Sequence, residues 1–449
     1  MKFTKIAVST ATTAVLALGL AACGSGSSGT DANGSASTQP SAAASSAGPK
    51  YAGQTLSFWR WGDPTPEQKA VMDKVVADFE KDTGAKVNVQ WSPWTGYAEK
   101  FQAAAAGSET PDVTEIGNTD VITWAGQDVF LDLTDRLNAF SGKAGISQGM
   151  WDTDTLDGKV YAVPWMAGDR AVVYRKDWFK ELKLEVPKTW DELIAAAKTI
   201  SEKKKGVAGF EFNGGSDMMQ SLAPFIWGAG GEIAKNEGGK WVSKLSDPAS
   251  REGIKFYTDL ITNYKVSPVA SLGRNSIEIA RNFANGKTGM YIEGSWAKAE
   301  ISKTNKKLSE SDNIGTFALP AKTGGVAPQF AGGSDLAIGK DSKHAEAAWE
   351  LIQLLMTEEN NQANADAMGL FPTYGSLLQS DKYKNDEWLG PFAAGLVNGK
   401  GLPASVNWVE VDKNKQVIHN MLRDIVQGKK PLEAATDEAG KQVEELLNQ

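Results

Sequence analysis

One cysteine and two histidines among 449 residues leave little material for several kinds of chemistry. Cys23 has no second cysteine to pair with, so an intramolecular disulfide is impossible and a cysteine-based metal site has no ligand set. His344 and His419 both fall in helix-like stretches and read as structural, which argues against a histidine triad or a two-histidine metal site. After the first twenty residues no apolar run is long enough to span a bilayer. Positive charge is short as well: 47 Lys and Arg against 55 Asp and Glu give a formal net charge of −8. The lysines are spread along helices, so the basic face that nucleic acid requires is missing. No metal, cofactor or nucleic-acid partner is expected.

The N-terminus is built differently from the rest. Lys2 and Lys5 precede an apolar and small-residue run from Ile6 to Leu20, the composition of an export signal. The run is short for a membrane-spanning helix, and no stop-transfer charges follow it. Leu20-Ala21-Ala22-Cys23 resembles the lipobox of bacterial lipoproteins. That resemblance implies removal of residues 1–22, acylation of Cys23 with palmitate-type chains, and a lipid anchor on the extracellular face of the cell membrane. The alternative is an ordinary secretory signal that happens to hold a cysteine. Residues 23–50 carry almost only Gly, Ser, Ala and Thr with nothing large to bury, which reads as a flexible linker. Such a chain spans roughly 30 Å root-mean-square. The folded part is expected to start near Tyr51, and about 400 residues of it predict two or three lobes.

The folded part alternates strand and helix. Thr55 to Trp59 reads as a strand running into Arg60-Trp61-Gly62-Asp63, and Thr65-Pro66-Glu67 opens a helix whose apolar face is Met72, Val75, Val76 and Phe79, with Gly84 as its stop. Lys86 to Trp91 and Pro111 to Ile116 are the next strands. Val160 to Trp165 and Ala171 to Tyr174 follow, separated by the polar break Gly168-Asp169-Arg170. Thr189-Trp190-Asp191-Glu192 is a capping-box pattern, Asp247-Pro248 a second helix start, and from His344 onward the chain reads as mostly helical. This rhythm predicts an α/β fold with parallel strands. Ligands of such sheets bind at the carboxyl ends of strands, where Trp61-Gly62-Asp63 and Gly117-Asn118-Thr119-Asp120 fall.

Tryptophan points to a ligand class. There are 15, and Trp61, Trp94, Trp165, Trp296 and Trp408 sit beside polar residues in apparent loops. A sugar ring presents apolar C–H faces rimmed by hydroxyls, so an indole face edged by Asp, Asn or Arg matches it. Trp190, Trp241 and Trp349 read instead as core residues.

Short matches in fixed order carry a resemblance over nearly the whole mature chain. They include Leu56-Ser57-Phe58-Trp59, Phe79 to Gly84, Pro111-Asp112-Val113, Gly158 to Pro164, Tyr174-Arg175-Lys176-Asp177, Pro187 to Leu193, Phe283 to Lys287 and Gly294-Ser295-Trp296. The chain resembles the family 1 extracellular solute-binding proteins, the maltose-binding-protein-like receptors of ABC sugar importers. The resemblance implies a two-lobe, type II periplasmic-binding-protein-like α/β fold with a multi-crossover hinge and a ligand cleft between lobes. One lobe is placed at 51–165 and 316–358, the other at 166–315 and 359–449. Crossings are expected near Pro164–Gly168, near Ile314–Pro320 and after the helix ending around Met356. The implied partners are a carbohydrate ligand and the permease subunits of the importer. A monomer is expected, and the family's lipoproteins of this kind belong to Gram-positive bacteria.

Carried over position by position, the resemblance implies ligand contacts at Trp61, Asp63, Asn118, Asp120, Trp165, Asp169, Trp296, Asp335, Trp408 and Glu410, with Trp59 packing inward. Ile116 stands where the maltose binder has an aromatic, and Gly168 where it has a glutamate with Asp169 beside it, so maltose itself is not expected. No catalysis is expected. A glycoside hydrolase would need two flanking carboxylates, which composition alone does not exclude, but no hydrolase motif accompanies them. A binder of a polyamine or peptide remains the alternative function.

Overall fold

The computed structural model describes residues 49–449 apart from Ser108, Ser147, Val397 and Asn398. The signal segment, Cys23 and most of the linker lie outside the described residues. The fold begins a little before Tyr51: Lys50 pairs with Glu350 at 2.6 Å, and the Tyr51 amide donates to the Thr83 carbonyl at 2.8 Å.

Two sheets organise the chain. Strands β1 (Thr55–Trp61), β2 (Lys86–Ser92) and β3 (Val113–Gly117) alternate with helices 66–83 and 97–106. Helix 66–83 has the predicted start and stop: Thr65 and Gln68 form a reciprocal capping box, Pro66 holds the first position, and Gly84 closes it at φ +75°. Met72, Val75 and Phe79 are its buried stripe. Two short hairpin strands, β4 (Thr155–Leu156) and β5 (Lys159–Val160), lead into β6 (Ala162–Gly168) and β7 (Arg170–Arg175). After a β8–β9 hairpin (Ala234–Glu237, Lys240–Ser243) come β10 (Met290–Gly294), β11 (Ile314–Phe317), β12 (Gly332–Ile338) and β13 (Phe371–Pro372).

The first sheet has the order β13-β6-β12-β3-β1-β2, the second β10-β7-β11. Parallel pairing, predicted for the whole fold, is confined to β1 with β2 and β3; β12 is antiparallel to both neighbours, and the second sheet is antiparallel throughout. The reason is connectivity, because β12 returns to the first sheet from the second rather than through a crossover helix beside it, and β13 follows β12 through helices 345–355 and 358–368. In β7, Val172 and Tyr174 face one apolar core while Ala171 and Val173 face another, so the three-stranded sheet is covered on both faces.

The polar break Gly168-Asp169-Arg170 is where the chain leaves one sheet and enters the other, as the first expected crossing required. A second passage runs between β11 and β12; along it Leu319, Ala327 and Phe330 still pack in the core of the second sheet. The third passage falls later than Met356. Helix 358–368 packs on helix 66–83, and β13 pairs with β6. Phe371 of β13 is the first residue of this stretch in the core of the second sheet, and Tyr383 and Phe392 follow it there. The division at 316 and 358 therefore does not match the sheets: residues 319–330 pack with the second, and 358–370 with the first. Helix 190–203 shows a smaller departure. Thr189 caps it, but Glu192 accepts from Lys188 rather than from the capping residue itself.

Among the described residues no helix is long and apolar enough to cross a membrane. No cluster of three or more His, Cys, Asp or Glu side chains among them is placed to hold a metal ion.

Candidate functional site

The loops after β1, β2 and β3 leave the same end of the first sheet because these strands are parallel. Asp63 is exposed there. Asn118 donates its side-chain amide to the Ala331 carbonyl at 3.4 Å, and its backbone amide to Gly333 at 3.2 Å. Asp120 precedes helix 121–126 and pairs with Lys413 at 2.8 Å, joining this loop to the C-terminal part of the chain. The same helix meets that part through Thr123, facing the Val406 carbonyl at 3.5 Å, and through Gly126, where a Cβ would crowd Val406.

A cavity of about 580 Å³ opens between β6 and β12 on one side and helix 390–396 with its flanking turns on the other. Pro164, Met166, Leu378 and Leu396 give it an apolar wall; Asn118, Asp335, Thr373 and Lys384 are among its polar groups. Glycines 332, 333, 375, 399 and 401 leave backbone groups facing the space. Asn118, Thr153 and Gly401 also border a narrow gap lined by Ile122, Phe330 and Trp408. A largely apolar cavity with a few placed polar groups is the ordinary form of a small-molecule site.

Several buried polar groups around this region have no hydrogen-bond partner, among them Trp408 Nε1, Asp335 Oδ2, both oxygens of Asp169 and of Asp154, and Glu293 Oε2. Burial pushes the Asp335 carboxyl up to about 7, with Asp154 beside it; burial also raises Asp154 well above the usual carboxylate range. Asp169 is raised by burial too, and its carboxyl leaves no room for a Cβ at Gly395. Glu293, pushed to about 7 chiefly by burial, accepts from the Gly294 amide at 2.8 Å. Buried polar atoms without partners are expensive, which makes them places where a bound molecule or water gains the most.

The expected contacts are thus divided by the structure. Asn118, Asp335 and Trp408 border the connected cavity and gap, and Asp120 stands beside them in its ion pair. Trp296 is half-buried next to Gly168, with the Arg170 guanidinium 4.5 Å above its ring, so one indole face is already covered. Glu410 is half-buried and accepts from Asn414 at 2.6 Å, outside the cavity lining.

Two tryptophans are core residues instead. Trp61 is fully buried, packs edge-on against Tyr97 at 4.7 Å, and donates its indole N–H to the Glu115 carbonyl at 2.8 Å. Trp59, expected to pack, is the more exposed of the two. They share one face of β1 by its two-residue period, and helix 97–106 covers the later position more fully. Trp165 is also fully buried, on the face of β6 away from the cavity. It stacks on Arg60 at 4.3 Å, with Trp91 on the guanidinium's other side at 4.4 Å. Arg60 is held by Glu115 at 2.8 Å, and both are 1% exposed. Nothing in the order of residues signals this buried pair, because Arg60 and Glu115 meet only when β1 and β3 lie side by side. Asp154, Met166 and Thr373 were missed for the same reason: each reaches the site from a separate segment.

Two sheets joined by passing strands, with a cavity at their junction, define the type II periplasmic-binding fold of the solute-binding proteins. Residues 62–362 match the model of the bacterial extracellular solute-binding proteins, and the chain belongs to that family. It is 32% identical to the diacetylchitobiose binding protein DasA of Streptomyces coelicolor over 408 residues, 89% of this chain and 90% of the relative. It is 24% identical to the maltooligosaccharide ABC transporter solute-binding lipoprotein of Streptococcus pneumoniae, over 85% and 87% of the two chains. The crystal structure of the sugar-binding protein MalE from Xanthomonas citri superposes with a TM-score of 0.72 at 26% identity, covering 88% of this chain and 97% of that one.

Proposed function

We propose that this chain is the extracellular receptor of an ABC importer, capturing a carbohydrate of oligosaccharide size and handing it to the permease. The observation that carries this reading is the cavity between the sheets, bordered by Asn118 and Asp335 and continuous with the gap at Trp408. The sugar-binding names of its relatives support the choice of ligand. Trp408 offers an indole with a free N–H, and Asn118 and Asp335 offer polar edges to hydroxyls. Asp63, Asp120 and Trp296 complete the ligand-facing set.

The ligand touches groups from both sheets, so its binding favours the closed arrangement of the two lobes, a population shift by hinge closure. The receptor performs no catalysis. It is monomeric and is held at the outer membrane surface through lipid on Cys23; the lipoprotein relative supports the anchor.

A second reading has its own support. Asp169, Asp335 and Glu293 are buried carboxyls with unpartnered oxygens, and a cationic ligand such as a polyamine would satisfy them.

A thermal-shift screen of residues 50–449 against di-, tri- and tetrasaccharides, with polyamines and short peptides alongside, separates the two. A ligand at about a hundred times its Kd adds roughly 2.7 kcal/mol and raises the midpoint by several degrees. A shift with one saccharide series, the sugar recovered intact, establishes the carbohydrate receptor. A shift with a polyamine and silence across the sugars overturns it.

A further inference from the structure

Trp94 stands in the loop between β2 and helix 97–106, at the same end of the first sheet as Asp63 and Asn118. It is 42% exposed, which makes it the one exposed aromatic side chain among the described residues. Its indole makes no hydrogen bond to a described residue. A single exposed indole is not unusual in itself, so its interest rests on how the loop holds it.

The loop is built to hold it. The Tyr97 amide donates to the Trp94 carbonyl at 3.1 Å, and the Trp94 ring rests against Tyr97 at 5.2 Å and Trp61 at 6.2 Å. Gly62 lies beside the indole nitrogen with φ +103°, a conformation that side-chain-bearing residues rarely adopt, and its amide donates to the Ser92 carbonyl at 2.7 Å. Exposed Asp63 follows Gly62 directly in the chain, one residue from this contact. The Trp94 platform is therefore backed by two buried aromatics, with an exposed carboxylate on the residue after the glycine it touches. Between it and the cavity stands the Gly117–Asp120 loop: the Tyr97 hydroxyl lies against that loop, and its Asn118 borders the cavity.

We propose that Trp94 and Asp63 form an outer subsite for a pyranose ring of the ligand, beyond the cavity, the indole stacking on the sugar face while the carboxylate accepts from ring hydroxyls. This rests on the carbohydrate reading and deepens it. The subsite supplies, on the neighbouring loop, the aromatic surface that Ile116 does not offer. It also makes chain length a determinant of affinity, because only a longer saccharide reaches both the cavity and the loop.

The test compares wild type, Trp94→Ala and Trp94→Phe by titration calorimetry with maltose, maltotetraose, N,N′-diacetylchitobiose and its tetramer. Melting in the absence of sugar should be nearly unchanged in Trp94→Phe and lower by a few degrees at most in Trp94→Ala, which loses the ring contacts to Tyr97 and Trp61. For the series that wild type binds, Trp94→Ala should weaken the tetrasaccharide roughly 3- to 10-fold and the disaccharide far less, with Trp94→Phe recovering part of the loss. Tetrasaccharide binding should also shield wild-type fluorescence from acrylamide more than it shields Trp94→Phe. Equal affinities in wild type and Trp94→Ala, or an equal loss at both chain lengths, overturn the outer subsite while leaving the receptor reading intact. Absence of wild-type binding to every saccharide overturns both.

Discussion

Trp61 and Trp408 are nearly equally hidden, yet they sit in regions with opposite chemistry. At the end of β1 the main polar groups are paired: the Trp61 N–H goes to the Glu115 carbonyl, and the Glu115 carboxylate holds Arg60 through Nε, leaving one guanidinium nitrogen and the Tyr97 hydroxyl without partners. In the stretch 400–414 and the facing β12 the groups are left open. Trp408 Nε1 and Asp335 Oδ2 are buried without partners, and a cavity lies beside them. The difference teaches how to tell a packing tryptophan from a waiting one. Burial does not distinguish them, and an unpartnered indole proton alone does not either, since Trp165 Nε1 in the core also lacks a partner; what sets Trp408 apart is the open space beside its indole.

The strongest way to break this contrast is through Glu115. Glu115→Ala leaves the Arg60 guanidinium buried between Trp91 and Trp165 with its charge uncompensated, and should cost about 3–5 kcal/mol in urea unfolding. A loss below about 1 kcal/mol would mean that the closed end of β1 is not closed at all.

The open region should announce itself through pH. Burial raises the Asp335 carboxyl to about 7, above its value in the unfolded chain, so the folded state holds the extra proton. Its contribution to stability is whole below about pH 4 and is lost as pH climbs through 7. Asp335→Asn removes that titration. Relative to wild type the variant should gain stability between pH 5 and pH 8, with Asp154 still titrating beside it. Parallel pH profiles for the two proteins would place Asp335 in contact with water or a cation instead.

A matched pair of substitutions tests the two indoles directly. Trp61→Phe removes one of two donors to the buried Glu115 carbonyl, the Thr114 hydroxyl remaining, and should destabilise by about 0.5–1.5 kcal/mol. Trp408→Phe removes an N–H that has no partner, so it should leave the melting temperature of the free protein nearly unchanged while weakening ligand binding. Equal losses of stability would erase the distinction between the regions.

The smallest effect concerns the contact that joins them. Lys413 is half exposed and pairs with the more buried Asp120. Lys413→Ala should cost about 0.2–1 kcal/mol, less at high salt. A loss of several kcal/mol would make this pair part of a core rather than a contact between lobes.

Much of the fold was legible in the order of residues. Helix 66–83 was readable to its ends because its start and stop are local: Thr65, Pro66 and Gly84 act within a few residues of themselves. β1, β2 and β3 were readable from alternation. The departure point at Gly168-Asp169-Arg170 showed as a polar break between two apolar strands. The site was less legible. Asn118, Asp335 and Trp408 were reached through resemblance and do border the cavity, but Trp61 and Trp165 carry the same local look and face the core. A strand's period tells which residues share a face, without telling which face meets solvent.

What the sequence by itself determined is therefore everything set by neighbours along the chain: the acidic character, the lone cysteine behind an export-like segment, the helix ends, the strands and the family. The tertiary structure alone decided what each buried tryptophan does and where the third passage between sheets falls. It also decided which carboxyls are stranded without partners. The reason is distance along the chain. Arg60 meets Glu115, Asp154 meets Asp335 and Asp120 meets Lys413 across separations that no local pattern encodes, and a group's hydrogen-bond partner exists only once the distant segment has arrived.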